Sequence, residues 1–199
     1  MRRFALTTAC AWGGAILVSI VAGCRTGVPT ETPGVERVGK TVLHYTGPEV
    51  ETVVSYRVAA LRPGEEWLFL DVAITGAGRA SVELKRDKIA IRIPSGDVVP
   101  LATQKEFGEA YPQLTAALAR ADVAGEPLDY FVNRTPKSLN FLVPPGEGLA
   151  FDSVWVNDRD VATGRLYFFI PGGVQNGSYE LRIDLVETKV RIPFRLGES

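Results

Sequence analysis

The chain has 199 residues, 46% of them hydrophobic and 23% charged, with a formal net charge of -1. That balance is the composition of a folded protein, not a disordered one, and near-neutral charge without a cluster of Lys and Arg argues against nucleic acid as a partner. Both cysteines, Cys10 and Cys24, lie in the leader region, so the rest of the chain offers no disulfide, thiolate metal site or cysteine nucleophile.

The leader is the first element. Met1-Arg2-Arg3 is a positive start, and Ala9 to Ala22 is almost wholly apolar. That run falls short of the roughly 20 residues a spanning helix needs, so it suits a cleaved signal better than an anchor. Val21-Ala22-Gly23-Cys24 closes it: an aliphatic residue, two small ones, then cysteine. On these residues the leader resembles that of bacterial lipoproteins. The resemblance implies a diacylglycerol on the Cys24 sulfur, cleavage by signal peptidase II between Gly23 and Cys24, and further acylation of the new amino group, with palmitate among the typical chains. Two or more acyl chains hold a protein stably at a membrane where one does so only marginally. The plainer alternative is an ordinary secretory signal in which Cys24 is incidental, but charge, apolar length and box all favour acylation. Cleavage there leaves 176 residues, and the loss of Arg2 and Arg3 takes the net charge from -1 to -3. That is enough chain for one domain with a real core.

The expected organisation is a signal peptide over 1–23, a lipidated cysteine and flexible tether over 24–40, and a single domain over 41–199. The tether assignment rests on Pro, Gly and Thr without apolar periodicity in Arg25 to Lys40. From Thr41 short β-type runs follow: 41–45, 53–60, 67–75, 80–84, 89–93 with 98–101, 138–143, 150–156, 166–170, 178–186 and 190–196. Within Trp67 to Thr75 the alternation puts Leu68, Leu70, Val72 and Ile74 on one face, which should point into the core. Turn chemistry separates the runs, with Ser95-Gly96-Asp97 reading as a tight hairpin and Asn176-Gly177 as the end of a longer connection.

One stretch breaks the rhythm. Phe107, Tyr111, Leu114, Leu118 and Ala121 recur at helical spacing. Because Pro112 fits poorly inside a helix, the expectation is a short turn at 104–110, a helix starting near Pro112, and a stop at Gly125-Glu126-Pro127. Many short strands with one short helical insertion predict an all-β fold, an immunoglobulin-like antiparallel β-sandwich. Three pieces of the mature region, Trp67–Thr75, the Ile89–Leu101 hairpin, and Gly164 to Pro171 followed by Tyr179 to Ile183, are similar to immunoglobulin-like domains of the telokin-like immunoprotective extracellular type. That resemblance implies a non-catalytic envelope module with no catalytic residues to carry over.

Chemistry-bearing candidates are few. His44 is the only histidine, leaving any hydrolytic triad a single possible base; on an alternating strand beside Val42 it reads as a structural or surface residue. Asn157-Asp158-Arg159-Asp160 with Asp152 upstream offers oxygens to a calcium ion but lacks the glycine and terminal Glu of a dedicated loop, and a turn explains it equally well. Asn133-Arg134-Thr135 and Asn176-Gly177-Ser178 match a glycosylation acceptor pattern but read as turns in a bacterial envelope protein. Tyr111, Tyr130, Phe131 and Trp155 could line a groove for peptide or glycan, with core packing favoured for Phe131 and Trp155.

The sequence therefore points to a lipid-anchored, non-catalytic binding or assembly module of the bacterial cell envelope. It would be held at the membrane by acyl chains on Cys24, with Tyr111 and Tyr130 as candidate contacts to an envelope protein or glycan, and no cofactor or metal. The alternatives are an envelope hydrolase using carboxylates and a structural subunit of an envelope complex. Arg25 stands where an Asp would retain a lipoprotein at the inner membrane in well-studied diderm bacteria, which favours the outer membrane.

Overall fold

A computed structural model describes residues 32–126 and 128–197; the leader, Gly23, Cys24 and Pro127 lie outside the described residues. The alternating runs become strands that stack as two sheets. β1 (Val35–Arg37), β2 (Val42–Thr46), β3 (Val50–Ser55), β4 (Trp67–Gly76), β10 (Asp160–Phe169) and β8 (Thr135–Ser138) form one sheet in that order. The second sheet runs β12 (Lys189–Leu196), β11 (Gly177–Asp184), β6 (Ile89–Arg92), β7 (Val98–Pro100). A separate pair, β5 (Val82–Lys85) with β9 (Ser153–Val156), completes the fold. All strand pairings are antiparallel except β8 with β10. The fold is an all-β sandwich.

The predicted inward face of β4 does point inward. Leu68, Leu70, Val72 and Ile74 join Leu166 and Phe168 from β10 and Leu181, Ile183, Val190 and Ile192 from the second sheet in one buried cluster. The other face of the six-stranded sheet is covered as well. Phe69 belongs to a second cluster under α2 (Gln104–Ala124), and Val42, Val53, Ala73 and Val161 form a third with Leu128 and Phe131 packed on it. A strand covered on both sides loses polar alternation, and Trp67-Leu68-Phe69-Leu70 shows that loss in its sequence.

Four expectations need correction. The chain is already in the sheet at Val35, whose partner is Tyr45, so ordered structure begins ahead of Thr41 within the stretch assigned to the tether. The run 53–60 is a strand only to Ser55. Arg57–Ala60 then coil into a single turn, α1, which buries Val58 and Ala59. The run 138–143 is not a strand: pairing is confined to Thr135–Ser138, and Leu139 and Phe141 are buried from irregular backbone, mimicking β alternation. Gly164 accommodates that backbone, since a Cβ there would stand 2.8 Å from the Leu139 Cβ.

The fourth correction concerns α2, which is one continuous helix of 21 residues from Gln104, with Pro112 inside it. A reciprocal cap starts it early. The Thr103 hydroxyl accepts from the Glu106 N–H at 3.2 Å, and the Glu106 carboxylate accepts from the Thr103 N–H at 2.7 Å. Phe107 then anchors the first turn in the second cluster. Proline removes one hydrogen bond and crowds the carbonyl four residues back, here that of Gly108. The expected stop at Gly125 holds, its N–H donating to the Ala121 carbonyl at 2.8 Å.

Candidate functional site

The helical insertion lies across the outer face of the six-stranded sheet. Phe107, Leu114, Ala117 and Ala121 form its buried stripe, resting on Phe69 and the half-buried Tyr167. The ring centroids of Phe107 and Tyr167 are 4.9 Å apart, and Phe69 meets Tyr167 edge-on at 5.4 Å. Burial raises the Tyr167 phenol above its ordinary pKa. Beneath the C-terminal end of α2 an open groove of about 600 Å³ remains, bordered by Asp71, Asp122, Glu126, Asp129, Arg165 and Tyr167.

Arg165 organises that groove. It faces Asp71 as its cross-strand partner in the β10–β4 ladder and donates from Nε to Asp71 Oδ1 at 2.7 Å. A second N–H reaches Asp122 Oδ1 at 2.8 Å, and a third reaches the Ala121 carbonyl at 3.3 Å. The guanidinium thus ties the sheet to the last turn of α2, where free carbonyls and the helix dipole favour a cation. Its side chain is 13% exposed and that of Asp71 is 14% exposed, so this pair is shielded from solvent, whereas Asp122 at 72% is not. Asp71 Oδ2 is buried with no hydrogen-bond partner among the described residues. Two carboxylates do converge here, yet both are spent on one guanidinium. Glu126 in turn accepts from the Thr41 hydroxyl at 3.2 Å.

The residues singled out from sequence scatter. Tyr111 lies on α2, half-buried against Phe107 at 5.6 Å, while Tyr130 sits in the turn beyond the helix, 43% exposed, and no ring contact joins the two. Phe131 packs on the third cluster as expected and meets the His44 ring edge-on at 6.0 Å. Trp155 corrects its expectation: it is 53% exposed, on the outer side of β9, whose Val156 is the residue that enters the core. His44 shares its face with Val42, and its Nε2 approaches Glu51 Oε2 to 3.5 Å without hydrogen-bond geometry.

The acidic run at 157–160 forms a turn. Asn157 Oδ1 accepts from the Arg159 N–H at 2.8 Å, and Asp160 pairs with Lys137 at 2.7 Å. Asp152 pairs instead with Arg86 at 3.0 Å. No group of three or more potential metal ligands occurs among the described residues. Asn133 sits in a turn with φ 71°, a conformation Asn tolerates.

Sequence reasoning passed over the Arg165–Asp71 pair, because two single charges far apart in the chain carry no spacing signal. A charged residue at the centre of an apolar strand was the available hint, since Asp71 interrupts an otherwise hydrophobic run. The cap was legible too: Thr103 followed three residues later by Glu106, ahead of an apolar stripe, is the capping-box pattern. No family model matches the chain, and neither the curated proteins nor the solved structures contain a match to it.

Proposed function

We propose that this protein is a lipid-anchored lipoprotein of the bacterial cell envelope whose β-sandwich serves as a non-catalytic binding or assembly module. One observation carries the reading: a positive start and an apolar run end in Val21-Ala22-Gly23-Cys24, with no cysteine anywhere after it. Such a chain presents a single sulfur for acylation, and two or more acyl chains hold an attached domain at a bilayer. The absence of an Asp at position 25 favours the outer membrane. A helix laid across a rigid sheet, with an open groove at its end and Tyr130 exposed beyond it, is a suitable surface for an envelope protein or glycan. Of the four carboxylates that border this groove, Asp71 and Asp122 are engaged by Arg165 and Glu126 accepts from Thr41, which favours recognition over acid–base chemistry.

Mass spectrometry of the polypeptide purified from its own cells tests the anchor. The expected result is an amino-terminal peptide beginning at Cys24 and carrying acyl chains. An unacylated chain, or a leader intact or cut elsewhere, overturns it.

A further inference from the structure

A second groove, of about 780 Å³, opens where β1 turns into β2 and β3 runs into α1. Its charge is opposite to that of the groove under α2. Arg37, Lys40 and Arg57 line it against one carboxylate, Glu126, which borders both grooves. All three cations are exposed, and none of them forms an ion pair among the described residues. Arg195 completes the wall and is engaged in an interaction of its own. In a chain of net charge -1, four cations against one carboxylate in one concavity is local segregation, which raises the concentration of anions there.

The groove is also built in advance. One Arg37 nitrogen donates to the Tyr56 hydroxyl at 2.7 Å and to the Lys40 carbonyl at 2.9 Å, and the same hydroxyl donates to that carbonyl at 3.2 Å. Tyr56 is 4% exposed and stacked on Phe194 at 5.0 Å, so the arm of Arg37 leans on a rigid post. These partners are neutral. They hold the guanidinium in place without cancelling its charge, and its remaining N–H groups stay available. Leu61, 62% exposed on the rim, offers an apolar shoulder beside the cations.

We propose that this groove binds a small phosphate monoester. The excess positive charge suits a monoester, which carries roughly -1.5 to -2 near neutral pH. Arg37 supplies a positioned fork of donors, Arg57 a second and more mobile one, and Lys40 a mobile point charge. The volume falls within the range of small-ligand sites. A free metabolite and a lipid headgroup present the same chemistry, and the two are separable by experiment.

The full chain, purified in a zwitterionic detergent, is titrated calorimetrically with glycerol 3-phosphate. In parallel it is titrated with a short-chain phosphatidic acid, with the matching short-chain phosphatidylcholine as the control. Expected is binding to at least one of the two phosphates that weakens with added salt and falls at least about tenfold in the Lys40→Gln/Arg57→Gln double variant. Neither replaced side chain makes a hydrogen bond or ion pair among the described residues, so the thermal midpoint should hold. Arg79→Gln, in the loop after β4 at the other end of the sheet, should bind like the parent. Binding of glycerol 3-phosphate identifies a soluble ligand; binding of the short-chain phosphatidic acid alone, and not of the phosphatidylcholine, identifies a headgroup. No binding of either, or binding undiminished in the double variant, overturns the proposal.

Discussion

Arg165 is the side chain on which the outer face of the six-stranded sheet depends most. Its replacement by Met leaves Asp71 largely shielded, with both carboxylate oxygens lacking a partner, and an uncompensated shielded charge costs far more than a surface pair. We expect Arg165→Met to lower unfolding free energy by about 3 kcal/mol in urea denaturation. Asp122→Asn should cost under about 1 kcal/mol, because that side chain is 72% exposed and its pairing is screened by water. Equal losses in the two variants would show that the clamp acts through Asp122 instead. Gly164 makes the second residue-scale prediction. Its Cβ would meet Leu139, so Gly164→Ala should destabilise by about 1–3 kcal/mol through overpacking, read by the same denaturation.

Among the elements, α2 departs furthest from its sequence reading. Proline deletes one helical hydrogen bond wherever it sits, and from sequence that cost argues for a break at Pro112. The helix survives because local signals at its start and contacts along its length outweigh one lost bond: the Thr103–Glu106 cap, then Phe107, Leu114, Ala117 and Ala121 buried on the sheet. Pro112→Ala should restore the bond and stabilise by about 1–2 kcal/mol, less than the full proline penalty because the unfolded chain regains freedom. Thr103→Ala should cost about 1 kcal/mol at neutral pH. The hydrogen bond from the Thr103 N–H holds the Glu106 carboxyl below its ordinary pKa of 4.5. A depressed folded pKa means a contribution present above 4.5 and lost as pH falls through the folded value. The stability gap between parent and Glu106→Ala should therefore narrow from about pH 5 to about pH 3, measured as urea midpoints. A constant gap would mean that the hydroxyl alone caps the helix.

For the whole molecule, the proposed anchor predicts that Cys24→Ser shifts the protein from the membrane pellet to the soluble fraction on cell fractionation, with the thermal midpoint of the sandwich unchanged. Retention in the pellet would place the membrane attachment elsewhere. Much of the architecture was visible beforehand: the Leu68, Leu70, Val72, Ile74 face, the hairpin at Ser95-Gly96-Asp97, the helical stripe from Phe107 to Ala121. The functional surfaces were not. Tyr111 and Tyr130 were chosen as aromatics in one insertion, yet the fold sends one to a packed seam and the other to an exposed turn. Both grooves draw their residues from distant stretches, such as Asp71 with Arg165 and Arg37 with Arg57.

The amino-acid order by itself determined most of the strands, the tight turns and the apolar stripe of the one long helix. Side-chain alternation, Gly and Pro backbone preferences, and the 3.6-residue period act between near neighbours, so they can be read without coordinates. Only the tertiary structure decided that the six-stranded sheet is covered on both faces, that Pro112 stays within a helix, and that cations gather in one groove and carboxylates in the next. Those outcomes are set by contacts between residues remote in the chain, where burial and charge pairing outweigh the local preferences that the sequence displays.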